Sequence, residues 1–162
     1  MKNYVLLFII IFVSTCIMLV IGNVYKYFND SKENKSYIVN KIKNYNFEDI
    51  NSGINEIRNN GLLYISYIGN KDIYSFEKDT YTILKNNNLT NKFVYIDCTK
   101  VVSNGKVDGL NDKLNIITDQ DIILPTVIYY KDGKPVDYID STNHILRSDR
   151  LLQLIEKWEI DK

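Results

Sequence analysis

Beyond its apolar N-terminal stretch the chain has one cysteine, Cys98, and one histidine, His144. Those two residues limit the chemistry at once. Dithiol exchange needs one thiolate to attack and a second thiol to resolve the mixed disulfide, and a structural zinc needs four nitrogen or sulfur ligands. Neither set can be assembled here. Cys16 is the other cysteine, and it lies in the apolar stretch, so no disulfide framework is expected within one chain. His144, in Ser141-Thr142-Asn143-His144, has no sequence-adjacent nucleophile and reads as a surface residue. Asp108, Asp112, Asp119 and Asp121 lack the alternating ligands, central glycine and terminal glutamate of a calcium loop. No cofactor or metal is expected. Cys98, in Tyr95-Ile96-Asp97-Cys98-Thr99, keeps two readings: a buried cysteine acting as a small hydrophobe, or a lone reactive thiol. The carboxylate of Asp97 beside it disfavours the thiolate.

Composition narrows the partners. Acidic and basic residues balance at 20 each in 162 residues, and without a basic stripe no nucleic-acid partner is expected. Interspersed charges read as a solvated surface. The ~135 residues outside the apolar stretch suit one domain with a true core.

The elements that must position any site follow from periodicity. Residues 5–24 are almost uniformly apolar and bracketed by Lys2 and Lys26, with Tyr4, Tyr25 and Tyr27 at belt positions. Twenty helical residues at ~1.5 Å each span about 30 Å, the thickness of a hydrocarbon core. A single-span signal anchor over residues 1–27 is the reading taken. A cleaved signal peptide would have a shorter apolar region. A lipoprotein signal at Val13-Ser14-Thr15-Cys16 would turn polar after the cysteine, whereas the apolar run continues. Residues 28–45 read as a juxtamembrane linker and 46–162 as the domain.

Within the domain, Phe47, Ile50, Ile54 and Ile57 predict a helix capped by Asn46 and closed by Gly61. Leu62-Leu63-Tyr64-Ile65-Ser66-Tyr67-Ile68 predicts a central strand. Ile73, Phe76, Thr80 and Ile83 predict a second helix, and Phe93-Val94-Tyr95-Ile96-Asp97 a strand parallel to the first through a right-handed crossover. The segment 101–123 is poorly legible, with room for a short helix within 106–114. Thr126 to Tyr130 predicts another strand. Asp132-Gly133 is a strong hairpin signal joining it to 136–139, with Pro135 marking an edge. Ser148 is expected to cap a last helix carrying Leu151, Leu152, Leu154, Ile155 and Trp158.

This order resembles the thioredoxin fold, an α/β sandwich with a central mixed sheet flanked by helices, over residues 47–158. The best local match is Leu124-Pro125-Thr126-Val127-Ile128-Tyr129-Tyr130-Lys131-Asp132-Gly133-Lys134-Pro135-Val136-Asp137. It is similar to the proline-strand-hairpin of thioredoxins and of small membrane-anchored relatives associated with bacteriocin export. Tyr67-Ile68-Gly69 is similar to the strand end before the active-site loop of those relatives. The resemblance implies a cis peptide bond before Pro125; an ordinary trans proline is the alternative. It also implies a Cys-X-X-Cys pair in Asn70-Lys71-Asp72-Ile73-Tyr74-Ser75-Phe76, and there none exists.

What remains is a candidate peptide groove made by Lys71, Asp72, Tyr74, Leu124 and Pro125. The reading is a membrane-tethered, redox-inactive thioredoxin-like module that binds a peptide or protein client in secretion or maturation. Two alternatives stay open: a single-thiol redox protein using Cys98, and a non-catalytic subunit of a membrane complex. The resemblance implies a domain outside the cytoplasmic membrane. The lysine count, with Lys26, Lys32, Lys35, Lys41 and Lys43 after the span, leans the other way.

Overall fold

A computed structural model describes residues 2–33, 35–116, 118, 120–142 and 146–160; His144 and Asp119 lie outside them. The chain begins with helix α1, Lys2–Glu33. Its stretch Ile9–Phe28 has a mean hydropathy of 2.0 and none of it is buried. Ser14 and Thr15 do not interrupt it, because both hydroxyls donate back to the Ile11 carbonyl at 2.8 and 2.9 Å. By length and composition α1 can cross a membrane, a property it shares with signal sequences.

The domain is a mixed sheet of strands β1 (Lys43–Asn46), β2 (Asn60–Ser66), β3 (Phe93–Asp97), β4 (Thr126–Lys131) and β5 (Lys134–Ile139), in the spatial order β1-β3-β2-β4-β5. β1 and β2 both run parallel to β3, β4 runs antiparallel to β2, and β5 antiparallel to β4. The expected parallel crossover joins β2 to β3 through α3, Lys71–Asn86. The Asp132-Gly133 turn has positive φ at both residues, 51° and 79°, the geometry that a two-residue hairpin needs. Pro135 sits on the edge strand β5, as its missing N–H requires.

Strand alternation sorts the core onto two faces. Tyr64, Tyr95, Val127 and Tyr129 face α3 and α5 (Ser148–Trp158), where Phe76, Leu84, Leu151, Leu154 and Ile155 complete one cluster. Leu63, Ile65, Val94, Ile96, Ile128 and Tyr130 face the other way, toward α2 (Ile50–Ile57) and α4 (Leu110–Leu114). Central strands covered on both sides are why residues 62–65 and 93–96 read as unbroken apolar runs.

Several local expectations change. Lys43–Asn46, whose first three residues are expected to end the linker and whose last is expected to cap a helix, is the edge strand β1, and Ile38 before it is fully buried. α1 itself runs on to Glu33. Asn46 makes no side-chain cap: Phe47–Asp49 forms a 3₁₀ turn and α2 starts only at Ile50. Gly61 does not close a helix but lies in β2 opposite Tyr130. A Cβ there would stand 2.7 Å from Ile57 Cβ and 2.8 Å from the Lys92 carbonyl oxygen, so close packing demands this glycine. Ser148 is the first helical residue of α5 rather than its cap, and Arg147 before it makes no capping bond.

Candidate functional site

β2 ends at Ser66, and the chain turns through Gly69, whose φ of 120° is closed to most side chains. Asn70 then starts α3: its side-chain oxygen accepts from the Asp72 N–H at 2.8 Å, a regular N-cap. Asp72 therefore stands in the first turn, where the helix dipole favours its charge. Across from it lies the approach to β4, with the Leu124-Pro125 peptide bond in the cis form.

A groove of about 270 Å³ lies between these segments. It is lined by Tyr67, Asn70, Asp72, Ile73, Asn104, Gly105, Ile123, Leu124, Pro125 and Ser141. Its volume falls below the ~300–1,000 Å³ of a small-molecule pocket; it fits one or two side chains of an extended segment. Among the described residues Asp72 is the single charged one of the lining, and no cysteine contributes to it.

Much of the main chain of this groove is already engaged. The Leu124 N–H donates to the Gly105 carbonyl at 2.7 Å, and the Ser141 N–H donates to the Ile123 carbonyl at 3.2 Å. The Ser141 hydroxyl donates to the Pro125 carbonyl at 3.0 Å. Gly105 reaches Leu124 because Asn104 and Gly105 form a turn with φ of 49° and 75°, closed by the Ser103–Lys106 bridge. What the groove presents freely is side chains rather than a strand edge.

Of the residues singled out from sequence, Asp72, Leu124 and Pro125 meet here. Lys71 and Tyr74 do not line the groove. The Tyr74 ring lies edge-on to Tyr37, 5.6 Å between centroids, and Lys71 points outward as an exposed residue. Phe76 is core. Sequence reading missed Asn104, Gly105, Ile123 and Ser141. Asn104-Gly105 carries the same tight-turn signature as Asp132-Gly133 but lies in the segment whose elements were illegible. Nothing in the sequence signalled Ser141.

Cys98 sits apart, fully buried among the residues between sheet and α2. Burial, and then the Asp97 carboxylate, push its thiol up to about 12. Its backbone N–H holds the Ser66 carbonyl at 2.8 Å. Among the described residues no group of histidine, cysteine, aspartate and glutamate is arranged to hold a metal ion.

Beside the groove, α3 buries one carboxylate. Glu77 is fully buried and accepts from the Ser36 hydroxyl at 2.8 Å and the Tyr37 N–H at 2.6 Å through one oxygen, and from the Tyr64 hydroxyl at 3.4 Å through the other. Burial raises its carboxyl above the ordinary value, although these donors oppose the shift. It ties the segment after α1 to the domain.

No family model and no curated protein matches the sequence. Solved structures do. Thioredoxin f2 of Chlamydomonas reinhardtii superposes with a TM-score of 0.52 at 15% identity, covering 75% of this chain and 99% of that one. The thioredoxin of Fasciola hepatica gives 0.50 at 15% identity, covering 72% and 98%. With the strand order and the groove, these establish a thioredoxin-like fold.

Proposed function

We propose that this protein is a membrane-tethered, redox-inactive thioredoxin-like module whose groove binds a peptide or protein partner in secretion or maturation. The carrying observation is the groove itself: apolar walls from Ile73, Ile123, Leu124 and Pro125, a polar rim, and no thiol. Because Gly105 takes the Leu124 N–H and Ser141 takes the Ile123 and Pro125 carbonyls, most main-chain groups at this point are already engaged and the partner is held mainly through side chains. An apolar side chain enters, and Asp72 favours a cationic or donor-rich neighbour. The anchor rests on α1, and an extracytoplasmic domain rests on the resemblance to membrane-anchored relatives.

The test is a titration of the isotope-labelled full chain in micelles with a reduced, carboxymethylated test protein, an extended chain without free thiols. Amide shifts clustered at Tyr67, Asn70, Ile73 and Ile123 are expected. Shifts confined to other surfaces, or none at saturating concentration, would refute the reading. In parallel, the chain should not accelerate reduction of insulin by dithiothreitol. Acceleration abolished by Cys98→Ser would instead establish the single-thiol alternative.

A further inference from the structure

We propose that the outer face of α3, joined by Tyr37 and Lys41, docks on anionic lipid headgroups and lays the domain on the membrane from which α1 emerges. This rests on the reading of α1 as a span. The sequence of α3 places Lys71, Tyr74, Lys78, Tyr81 and Lys85 at alternating intervals of three and four residues, which is one stripe of a helix. The opposite side carries Ile73, Phe76, Glu77, Thr80 and Leu84 into the core. All three lysines are exposed, and both tyrosines are half-buried.

Tyr37 completes the stripe. Its ring packs edge-on against both helix tyrosines, 5.6 Å from Tyr74 and 6.1 Å from Tyr81. The Lys41 ammonium lies over the Tyr37 ring at 2.9 Å and 5.1 Å from that of Tyr81. The surface thus gathers three tyrosines and four lysines. Glu77, on the core side of α3, is buried and turned onto Ser36 and Tyr37, so its carboxylate is not presented on this surface. The ion pairs formed among the described residues involve none of these four lysines.

Tyrosine and lysine together are the chemistry of a membrane interface: amphipathic rings at headgroup level, and flexible cations that reach anionic lipids. Chain continuity selects that occupant over a soluble acidic one. The apolar stretch ends at Phe28 and α1 is helical to Glu33. Five helical residues, and four more steps at no more than the reach of a fully extended chain, put Tyr37 at most about 22 Å from the hydrocarbon edge. The headgroup layer itself occupies roughly 5–8 Å of that distance. α1 also contacts α3 directly, and Tyr37, which follows α1, packs on Tyr74 and Tyr81 of the stripe.

The experiment uses the full chain in vesicles of phosphatidylcholine alone or mixed equally with phosphatidylglycerol, each carrying spin-labelled lipid. A nitrobenzoxadiazole fluorophore is attached at Thr82→Cys, an exposed position flanking the stripe, or at Glu156→Cys on α5, both in a Cys16→Ser background; buried Cys98 stays unlabelled. A third sample carries the fluorophore at native Cys16. In the anionic vesicles, quenching at position 82 is expected to exceed that at 156 by about threefold or more, and Lys71→Gln with Lys78→Gln to return it to the level at 156. Equal quenching at 82 and 156, with Cys16 strongly quenched, overturns the surface and leaves the span standing. An unquenched Cys16 overturns the span reading itself. Quenching at 82 that is the same in neutral vesicles overturns the anionic assignment. Binding of a polyuridylate oligonucleotide without lipid quenching would give the stripe to nucleic acid instead.

Discussion

Cys98 and Pro125 show how differently two residues can be legible. Pro125 announces itself in sequence because a proline opening an apolar strand before Asp132-Gly133 has few placements, and the structure puts it in the groove wall. Cys98 sits where a lone thiol invites a redox role, yet it is fully buried and its thiol is pushed up to about 12. Relative to an ordinary thiol near 8.5, that lowers the thiolate fraction at neutral pH by roughly three to four orders of magnitude. In the Cys16→Ser protein, Ellman's reagent should therefore leave Cys98 unmodified until the chain unfolds; rapid modification of the folded protein would reopen the single-thiol reading. Gly61 makes a second residue-scale prediction. Its added Cβ would press on Ile57 and on the Lys92 carbonyl, so Gly61→Ala should lower stability by about 1–3 kcal/mol, read from the urea midpoint. Tyr74 was not legible, because its ring is placed by Tyr37, in a segment with no periodicity of its own.

At the scale of elements, the strands and α3 followed from pattern, since buried central strands and an amphipathic helix leave strong periodic signals. β1 did not. Its four residues, Lys43–Asn46, are mostly exposed and polar, and their place comes from pairing with β3. Pairing with a distant partner leaves no local trace. The segment before β1 is fixed by Glu77, which accepts from Ser36 and Tyr37. Because burial raises its carboxyl above 4.5, the folded state holds the proton at pH values where the unfolded state has lost it. Its contribution is thus complete below the unfolded value and lost as pH rises through the folded one. Glu77→Gln should flatten the fall in stability on that alkaline side, measured by urea unfolding at a series of pH values; an unchanged slope would mean that Glu77 does not titrate there. Glu77→Ala, which removes the acceptor from the Ser36 and Tyr37 donors, should cost about 1–3 kcal/mol.

For the whole molecule, the fold is a thioredoxin-like sandwich behind a long apolar helix, and the segment between them is drawn onto α3 rather than left as a loose tether. Alkaline carbonate should leave the chain in the membrane fraction, and deleting residues 2–27 should release it; extraction of the intact chain would refute the anchor. Protease added to intact cells should reach the domain if it is extracytoplasmic. On the proposed function, the groove beside Asp72 and Pro125 holds a partner without thiol chemistry. A photo-crosslinking residue introduced at Asn70 in native membranes tests it most directly, with Asp132, at the far hairpin, as the reference position. A discrete adduct is expected at position 70 and none at 132, weakened by Asp72→Lys and unchanged by Cys98→Ser. No adduct at 70, or one that vanishes with Cys98→Ser, would contradict the proposed function.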